Sequence, residues 1–339
     1  MRIAVVGATG LVGRVMLEEL ASGDFSIPVD ELVPIASARS EGKQIEFKGQ
    51  SIPVIPLTNE NIPEVDIALF SAGADSAEDF APLFVEKGAF VIDNSSAFRR
   101  DKKIPLVVPE INADTIGNAK LIANPNCTTI QLVLALAPLR KYGIQSINVS
   151  TYQAISGGMG KVIKQFIKEF KELSDWLENS PREELVGINP YSDKAQPVFF
   201  TNVVPAIGEV CFDGDFTEEQ KVKNETRRIL DIENLHIAVT AVRVPVLNGH
   251  SEAVTVELKE DFCIGDIFND FKKAEGIIVS SNYITPIEVS GSREVFVSRV
   301  RRDAERENII YFWVVADNLR KGAATNAIQI AEKLSVPSR

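Results

Sequence analysis

The sequence predicts an α/β fold, with a parallel sheet in the first half and an α+β arrangement on a mostly antiparallel sheet in the second. Three observations carry this. Short, continuous apolar runs alternate with helical stretches through the first 127 residues, the pattern of βα units whose strands are covered on both faces. From about Gln145 the style changes, and long alternating strands follow one another, as half-buried antiparallel strands do. At 339 residues the chain also exceeds the usual size of one compact domain.

The elements follow in order. RIAVVG reads as the first strand, 11–22 as a helix and ELVPIA as the second strand; VDIALFSAG, AFVIDNS and KLIANPN are further strands, with a helix between the first two. SINVSTYQAI is a strand leading into Ser156-Gly157-Gly158 and an amphipathic helix from 159 to about 178. Residues 180–197 read as an irregular excursion. HIAVTAVRVPV, SEAVTVEL, EVFVSRVRR and NIIYFWVVAD are strands, with a turn at Asn248-Gly249 between the first two. Residues 322–334 form a closing helix, apolar at Ala323, Ala327, Ile330 and Leu334, placed to pack back onto the first domain.

Composition narrows the function classes. A formal net charge of −11 disfavours a nucleic-acid or anionic-membrane surface, which needs a basic face. Apolar stretches fall short of the roughly 20 residues of a membrane helix, and no charged-then-apolar leader precedes the first strand. Three cysteines, at 127, 211 and 263, are far apart and odd in number, so neither a disulfide framework nor a metal site is expected. The expectation is a soluble, cytoplasmic protein.

Gly7-Ala-Thr-Gly10-Leu-Val-Gly13 lies between the first strand and the first helix. Glycines there allow a tight turn, close approach to a pyrophosphate and packing of helix on sheet, while the helix start holds the anion. The spacing is GxxGxxG rather than GxGxxG, a partial match to the dinucleotide fingerprint, and a plain tight turn is the alternative. The second strand ends Ser37-Ala38-Arg39-Ser40 instead of in an acidic residue. A cation among hydroxyls favours a 2′-phosphate, hence NADP; a solvated loop arginine is the alternative. The first domain is accordingly read as Rossmann-like.

Asn124-Pro-Asn126-Cys127-Thr-Thr precedes an apolar helical run. At a helix start, unpaired N–H groups and the dipole favour a thiolate and lower the thiol pKa, and a thiolate attacks acyl carbons. Most free cysteines are small buried hydrophobes, the reading that suits Cys211 and Cys263. Of the two histidines, His236 sits in a strand pattern, and His250 follows a turn from which an imidazole can enter a cleft. A Cys–His pair distant in sequence can meet in the fold.

GATGLVG, DNSSAFR, VPEIN, NPNCTT, TYQAISGGMGK, RVPVLNGHSE and NLRKGAATNA, in that order along the whole chain, resemble the aspartate-semialdehyde dehydrogenases in their bacterial form. N-acetyl-γ-glutamyl-phosphate reductases share the logic, but NPNCTT with RVPVLNGHSE fits the aspartate enzymes better. The other alternative is a non-catalytic nucleotide-binding relative, which would be expected to lack the nucleophile or the base.

The resemblance implies NADPH-dependent conversion of β-aspartyl phosphate to aspartate semialdehyde and phosphate, within the biosynthesis of lysine, diaminopimelate, threonine, methionine and isoleucine. It implies Cys127 as nucleophile, His250 as the acid/base that deprotonates it, and Gln153 as a positioning group. Arg243 would take the α-carboxylate, Arg99 and Lys221 the phosphate, and Glu218 the amino group; Asn126 would line the pocket. The cofactor would touch Gly7, Thr9, Gly10, Leu11, Val12, Gly13, Ala38, Arg39, Ser40, Ser71, Ser156, Gly157 and Asn318. The expected domains are residues 1–127 with 318–339 for NADP, and 128–317 for catalysis and dimerisation, with a homodimer expected and a tetramer as alternative.

Overall fold

Strand β1 (Arg2–Val6) turns at Gly7 into helix α1 (Leu11–Ser22), followed by β2 (Glu31–Ala36), the hairpin β3 (Gln44–Phe47) and β4 (Gln50–Pro53), and β5 (Ile55–Pro56). Next come β6 (Ile67–Phe70), α2 (Ala74–Glu86), β7 (Phe90–Asp93), α3 (Pro109–Asn112) and β8 (Leu121–Ala123). The second half holds α4 (Cys127–Leu136), β9 (Ile144–Gln153), α5 (Met159–Asn179), α6 (Thr217–Leu230), β10 (His236–Arg243) and β11 (His250–Leu258). It closes with α7 (Ile264–Lys273), β12 (Ile277–Ser280), α8 (Pro286–Val289), β13 (Val295–Arg302), β14 (Ile309–Ala316) and α9 (Thr325–Glu332). The computed structural model describes residues 1–179 and 198–334; the stretch 180–197, expected to be irregular, lies outside the described residues.

The first sheet is wholly parallel, ordered β5-β2-β1-β6-β7-β8. Alternate side chains of its strands feed two cores. Ile3, Val5, Ile67, Leu69 and Ile92 pack with Met16, Leu17 and Leu20 of α1 and with Ala327, Ile328, Ile330 and Ala331 of α9. Ala4, Val6, Ile35, Ala68 and Phe70 pack on the other face with Ala77, Ala81 and Phe84 of α2. Burial on both faces explains the continuous apolar runs. The final helix does return to the first sheet, but it opens with a π-turn at Arg320–Ala324 before α9 proper.

The second sheet runs β10-β9-β11-β14-β13-β12. The pairs β9–β11, β11–β14 and β13–β14 are antiparallel, whereas the outer pairs β10–β9 and β12–β13 are parallel. The turn at Asn248-Gly249 therefore does not make a hairpin, because β9 lies between β10 and β11. One face is dry: Val149, Val254, Val256, Phe312 and Val297 meet Ile130 and Val133 of α4, Val222 of α6 and Phe271 of α7. The other face carries Tyr152 and Trp313, with ring centroids 5.4 Å apart.

Candidate active site

The turn after β1 is built for backbone approach. Gly7 has φ +94°, and a Cβ there would lie 2.7 Å from the Ser71 carbonyl oxygen; one on Gly13 would lie 2.2 Å from the Gly7 oxygen. Neither space tolerates a side chain. Gly10 caps α1 without a side-chain acceptor, and Gly10 and Leu11 are exposed, with Thr9 and Val12 half-buried. The Thr9 and Ser40 hydroxyls are 3.4 Å apart. Ala38 and Arg39 are exposed in a single turn after β2, whereas Ser40 is buried and accepts from Lys43 Nζ at 3.5 Å. Lys43 is thus a second cation beside Arg39 that the sequence reading missed. This crevice lies where β1 stands between β2 and β6, at the carboxyl ends of the parallel strands, the usual place for a nucleotide in such sheets.

Further along the same edge β8 ends at Ala123, and α4 starts at Cys127. Asn126 caps α4: its Oδ1 accepts from the Thr128 N–H at 2.9 Å and the Thr129 N–H at 3.3 Å. The Asn126 N–H donates to Glu225 Oε2 at 2.6 Å. Among the first amides of this turn, the Cys127 N–H is the one not engaged in these bonds.

Helix α6 lays one face against that turn. Glu218 Oε1 accepts from Asn126 Nδ2 at 2.9 Å and from Gln153 Nε2 at 3.3 Å, and Glu218 Oε2 pairs with Lys221 Nζ at 3.2 Å. Burial pushes the Glu218 carboxyl up, but Lys221, Asn126 and Arg243 outweigh it and hold it below its ordinary range. Arg99 is gripped by the carbonyls of Asn124 and Asn94 and reaches Glu225 Oε1 at 3.4 Å. Burial raises the Glu225 pKa despite Arg99. Arg99, Lys221 and Glu225 line a cleft of about 1130 Å³, together with Arg100, Arg227 and Arg228. Glu225 escaped the sequence reading, although 218, 221 and 225 share one helical face.

One peptide organises the other wall. The Ala154 carbonyl accepts from Arg243 Nη1 at 2.6 Å, and the Ala154 N–H donates to His250 Nδ1 at 3.0 Å. A Cβ on Gly157 would sit 2.9 Å from His250 Cε1 and 3.0 Å from both His250 Nε2 and Arg243 Nη1. Only glycine lets these two side chains meet there. Asn318 Oδ1 accepts from Ser156 Oγ at 3.1 Å and from the Gly249 N–H at 2.9 Å, which anchors the chain just before His250. Gly322 packs against Cys127, a Cβ there lying 2.9 Å from the cysteine Cβ.

One expectation is corrected. The Cys127 thiol is not acidified: burial and the Glu218 carboxylate push its pKa up to about 11, against smaller opposing effects of Thr128, Arg99 and Arg243. The side chain keeps some exposed surface, and Asn126 has taken two helix-start amides that would otherwise favour a thiolate. The His250 ring is held by the Ala154 peptide. Its Nδ1 accepts from the Ala154 N–H at 3.0 Å. Burial and Arg243 hold its pKa well below the usual value.

A family model described as "Semialdehyde dehydrogenase, NAD binding domain" matches residues 2–119, and one described as "Semialdehyde dehydrogenase, dimerisation domain" matches 136–321. The chain is 45% identical to aspartate-semialdehyde dehydrogenase of Aquifex aeolicus, across 98% of this chain and 97% of the relative. It is 42% identical to that of Bacillus subtilis over the same shares. The crystal structure of aspartate semialdehyde dehydrogenase II from Vibrio cholerae, complexed with ASA, superimposes with a TM-score of 0.88 at 40% identity, covering 98% of this chain and 97% of that one. With two family models spanning both halves and relatives similar from end to end, this chain belongs to the aspartate-semialdehyde dehydrogenase family.

Proposed function

We propose that the chain is an NADPH-dependent aspartate-semialdehyde dehydrogenase, which reductively dephosphorylates β-aspartyl phosphate to aspartate semialdehyde through a thioester on Cys127. The observation that carries this reading is one cysteine at the start of α4 whose capping residue, Asn126, is bonded into the Glu218, Gln153 and Lys221 cluster. The ASA complex of the Vibrio cholerae relative supports the substrate class.

The residues divide the substrate among them. Arg243 is buried and planar, suited to a bidentate grip on the α-carboxylate. Glu218, held ionised, meets the amino group, while Asn126 and Gln153, both bonded to it, line the pocket. Arg99 and Lys221 face the cleft and take the phosphate. Attack by Cys127 on an already activated acyl carbon splits one hard reduction into two easier steps. His250 takes the thiol proton and later returns one to the departing sulfur as the hemithioacetal collapses, and the Cys127 N–H at the start of α4 is the donor for the oxyanion of the tetrahedral intermediates.

The crevice beside β1 fits NADP. Its glycine turn has no room for side chains and so brings backbone up to a pyrophosphate, and Arg39, with Lys43 near Ser40, suits a 2′-phosphate. Thr9 to Gly13, Ala38 to Ser40 and Ser71 would hold the nucleotide, and Ser156, Gly157 and Asn318 its nicotinamide end. When bound, NADPH supplies the hydride.

We read the expected domains, 1–127 with 318–339 and 128–317, onto the two sheets. The outer face of the second sheet is the surface for a homodimer, and mass measurement in solution separates dimer from tetramer. The decisive assay is phosphate-dependent reduction of NADP with aspartate semialdehyde. Rapid turnover is expected with it and little with N-acetylglutamate semialdehyde; the reverse order, or no turnover, would overturn the reading.

A further inference from the structure

The NLRKGAATNA segment buries two polar side chains, Lys321 in the π-turn and Asn326 near the start of α9. Lys321 Nζ donates to Gln329 Oε1 at 2.6 Å, to Glu110 Oε1 at 2.7 Å and to Asn326 Oδ1 at 3.1 Å. An ammonium only donates, so it turns the oxygen of Asn326 towards itself. The Asn326 amide nitrogen then points the other way, donating to the Val107 carbonyl at 3.0 Å and to Asn124 Oδ1 at 2.6 Å. Asn124 passes the polarity on. Its Nδ2 donates to Asn94 Oδ1 at 2.7 Å, and Asn94 Nδ2 donates to the Phe70 carbonyl at 2.9 Å. Lys321, Asn326, Asn124 and Asn94 thus form one chain of hydrogen bonds with a single direction. It starts at a group that can only donate and ends at one that can only accept.

The far end of this chain holds Arg99. Strands β7 and β8 are parallel neighbours, and Asn94 and Asn124 are the first residues beyond them. Their backbone carbonyls accept from Arg99 Nη2 at 2.6 Å and from Arg99 Nε at 2.9 Å, while their side chains are tied to each other. The side-chain bond therefore fixes the spacing of the two carbonyls. A guanidinium presents its donors in a rigid planar fork and is sensitive to that spacing.

We infer that Asn326 is a positioning residue for the phosphate: by fixing the amides of Asn124 and Asn94 it sets the two carbonyls that aim Arg99 into the cleft, and Lys321 sets the direction of the chain. This rests on the proposed phosphate role of Arg99. The effect is selective, because the groups assigned to the amino-acid end of the substrate, Arg243 on β10 and Glu218 on α6, are carried by other elements.

Asn326→Asp keeps the shape and the bond from Lys321 but offers Asn124 Oδ1 no donor. Asn326→Ala, which adds no buried carboxylate, serves beside it. Inorganic phosphate is titrated into the resting protein by ³¹P NMR, and KM is measured for phosphate, aspartate semialdehyde and NADP in the oxidative direction. Both variants should weaken phosphate binding and raise its KM roughly tenfold, the scale of one charge-assisted hydrogen bond, with the KM for aspartate semialdehyde moving less than about twofold. Ile330→Val, in the same helix but outside the chain, should lower Tm and leave every KM in place. In an Arg99→Ala background Asn326→Asp should cost phosphate binding nothing further, since the two act as one unit. Unchanged phosphate affinity in the folded variants, equal rises in all three KM values, or full additivity with Arg99→Ala would overturn the inference. Phosphate binding that depends on Asn326 in a protein unable to turn over aspartate semialdehyde would sink the proposed function and leave the inference standing.

Discussion

The two halves of the site are built by different means. The cofactor crevice is local: one turn of seven residues, the end of the neighbouring strand and a serine on the next, with backbone atoms forming its surface. The catalytic pocket is assembled from the start of α4, one face of α6, the ends of β9 and β10, the start of β11 and the π-turn before α9. The lesson is that a backbone site tolerates change in side-chain chemistry but not in volume, and a side-chain pocket the reverse.

Substitutions can break or sharpen that contrast. The largest effect is expected from Cys127→Ala, which should abolish turnover and leave NADPH affinity nearly intact by fluorescence titration; residual normal turnover would end the thioester mechanism. His250→Asn should lower kcat by roughly two orders or more, the range for loss of a general acid/base. Gly13→Ala should act on the other half, costing about 1–3 kcal/mol through overpacking against Gly7, seen as a lower Tm and weakened NADPH binding. Arg39→Ala should lose about tenfold in NADP affinity relative to NAD, in keeping with one charge-assisted hydrogen bond.

The smallest effect concerns stability and pH. Glu252 is buried, and desolvation raises its pKa well above the ordinary carboxyl range. The folded state keeps its proton while the unfolded chain ionises, so rising pH above about 4.5 favours unfolding. Glu252→Gln removes that penalty. Its Tm should exceed the wild type by a few degrees at pH 7, and the gain should vanish as the pH falls below about 4.5. A gain that persists in acid would point to packing instead.

Local order was legible where one segment decides it. The bounds of α1 follow from Gly10 before it and Gly23, in a left-handed conformation, after it, and the strands of the first sheet follow from runs buried on both faces. Helix α6 was not read, because its exposed face is highly charged and its buried face carries Glu218, Glu219 and Glu225 among few apolar residues. The turn at Asn248-Gly249 gave the correct break but not the partner strand, since a turn signal says nothing of a third strand inserted between its arms.

The sequence by itself determined the two sheets, the glycine turn, the helix start at the cysteine and the family, because each is carried by contiguous residues with a mechanical meaning. Only the tertiary structure decided the charge state of the site. The helix start predicts an acidic thiol, yet Asn126 occupies its amides while burial and Glu218 push the thiol up to about 11. The histidine, for its part, is oriented by a backbone amide from across the pocket. Thiol acidity depends on the amides and charges near the sulfur, and in this chain those come from the adjacent Asn126 and from residues roughly a hundred positions away.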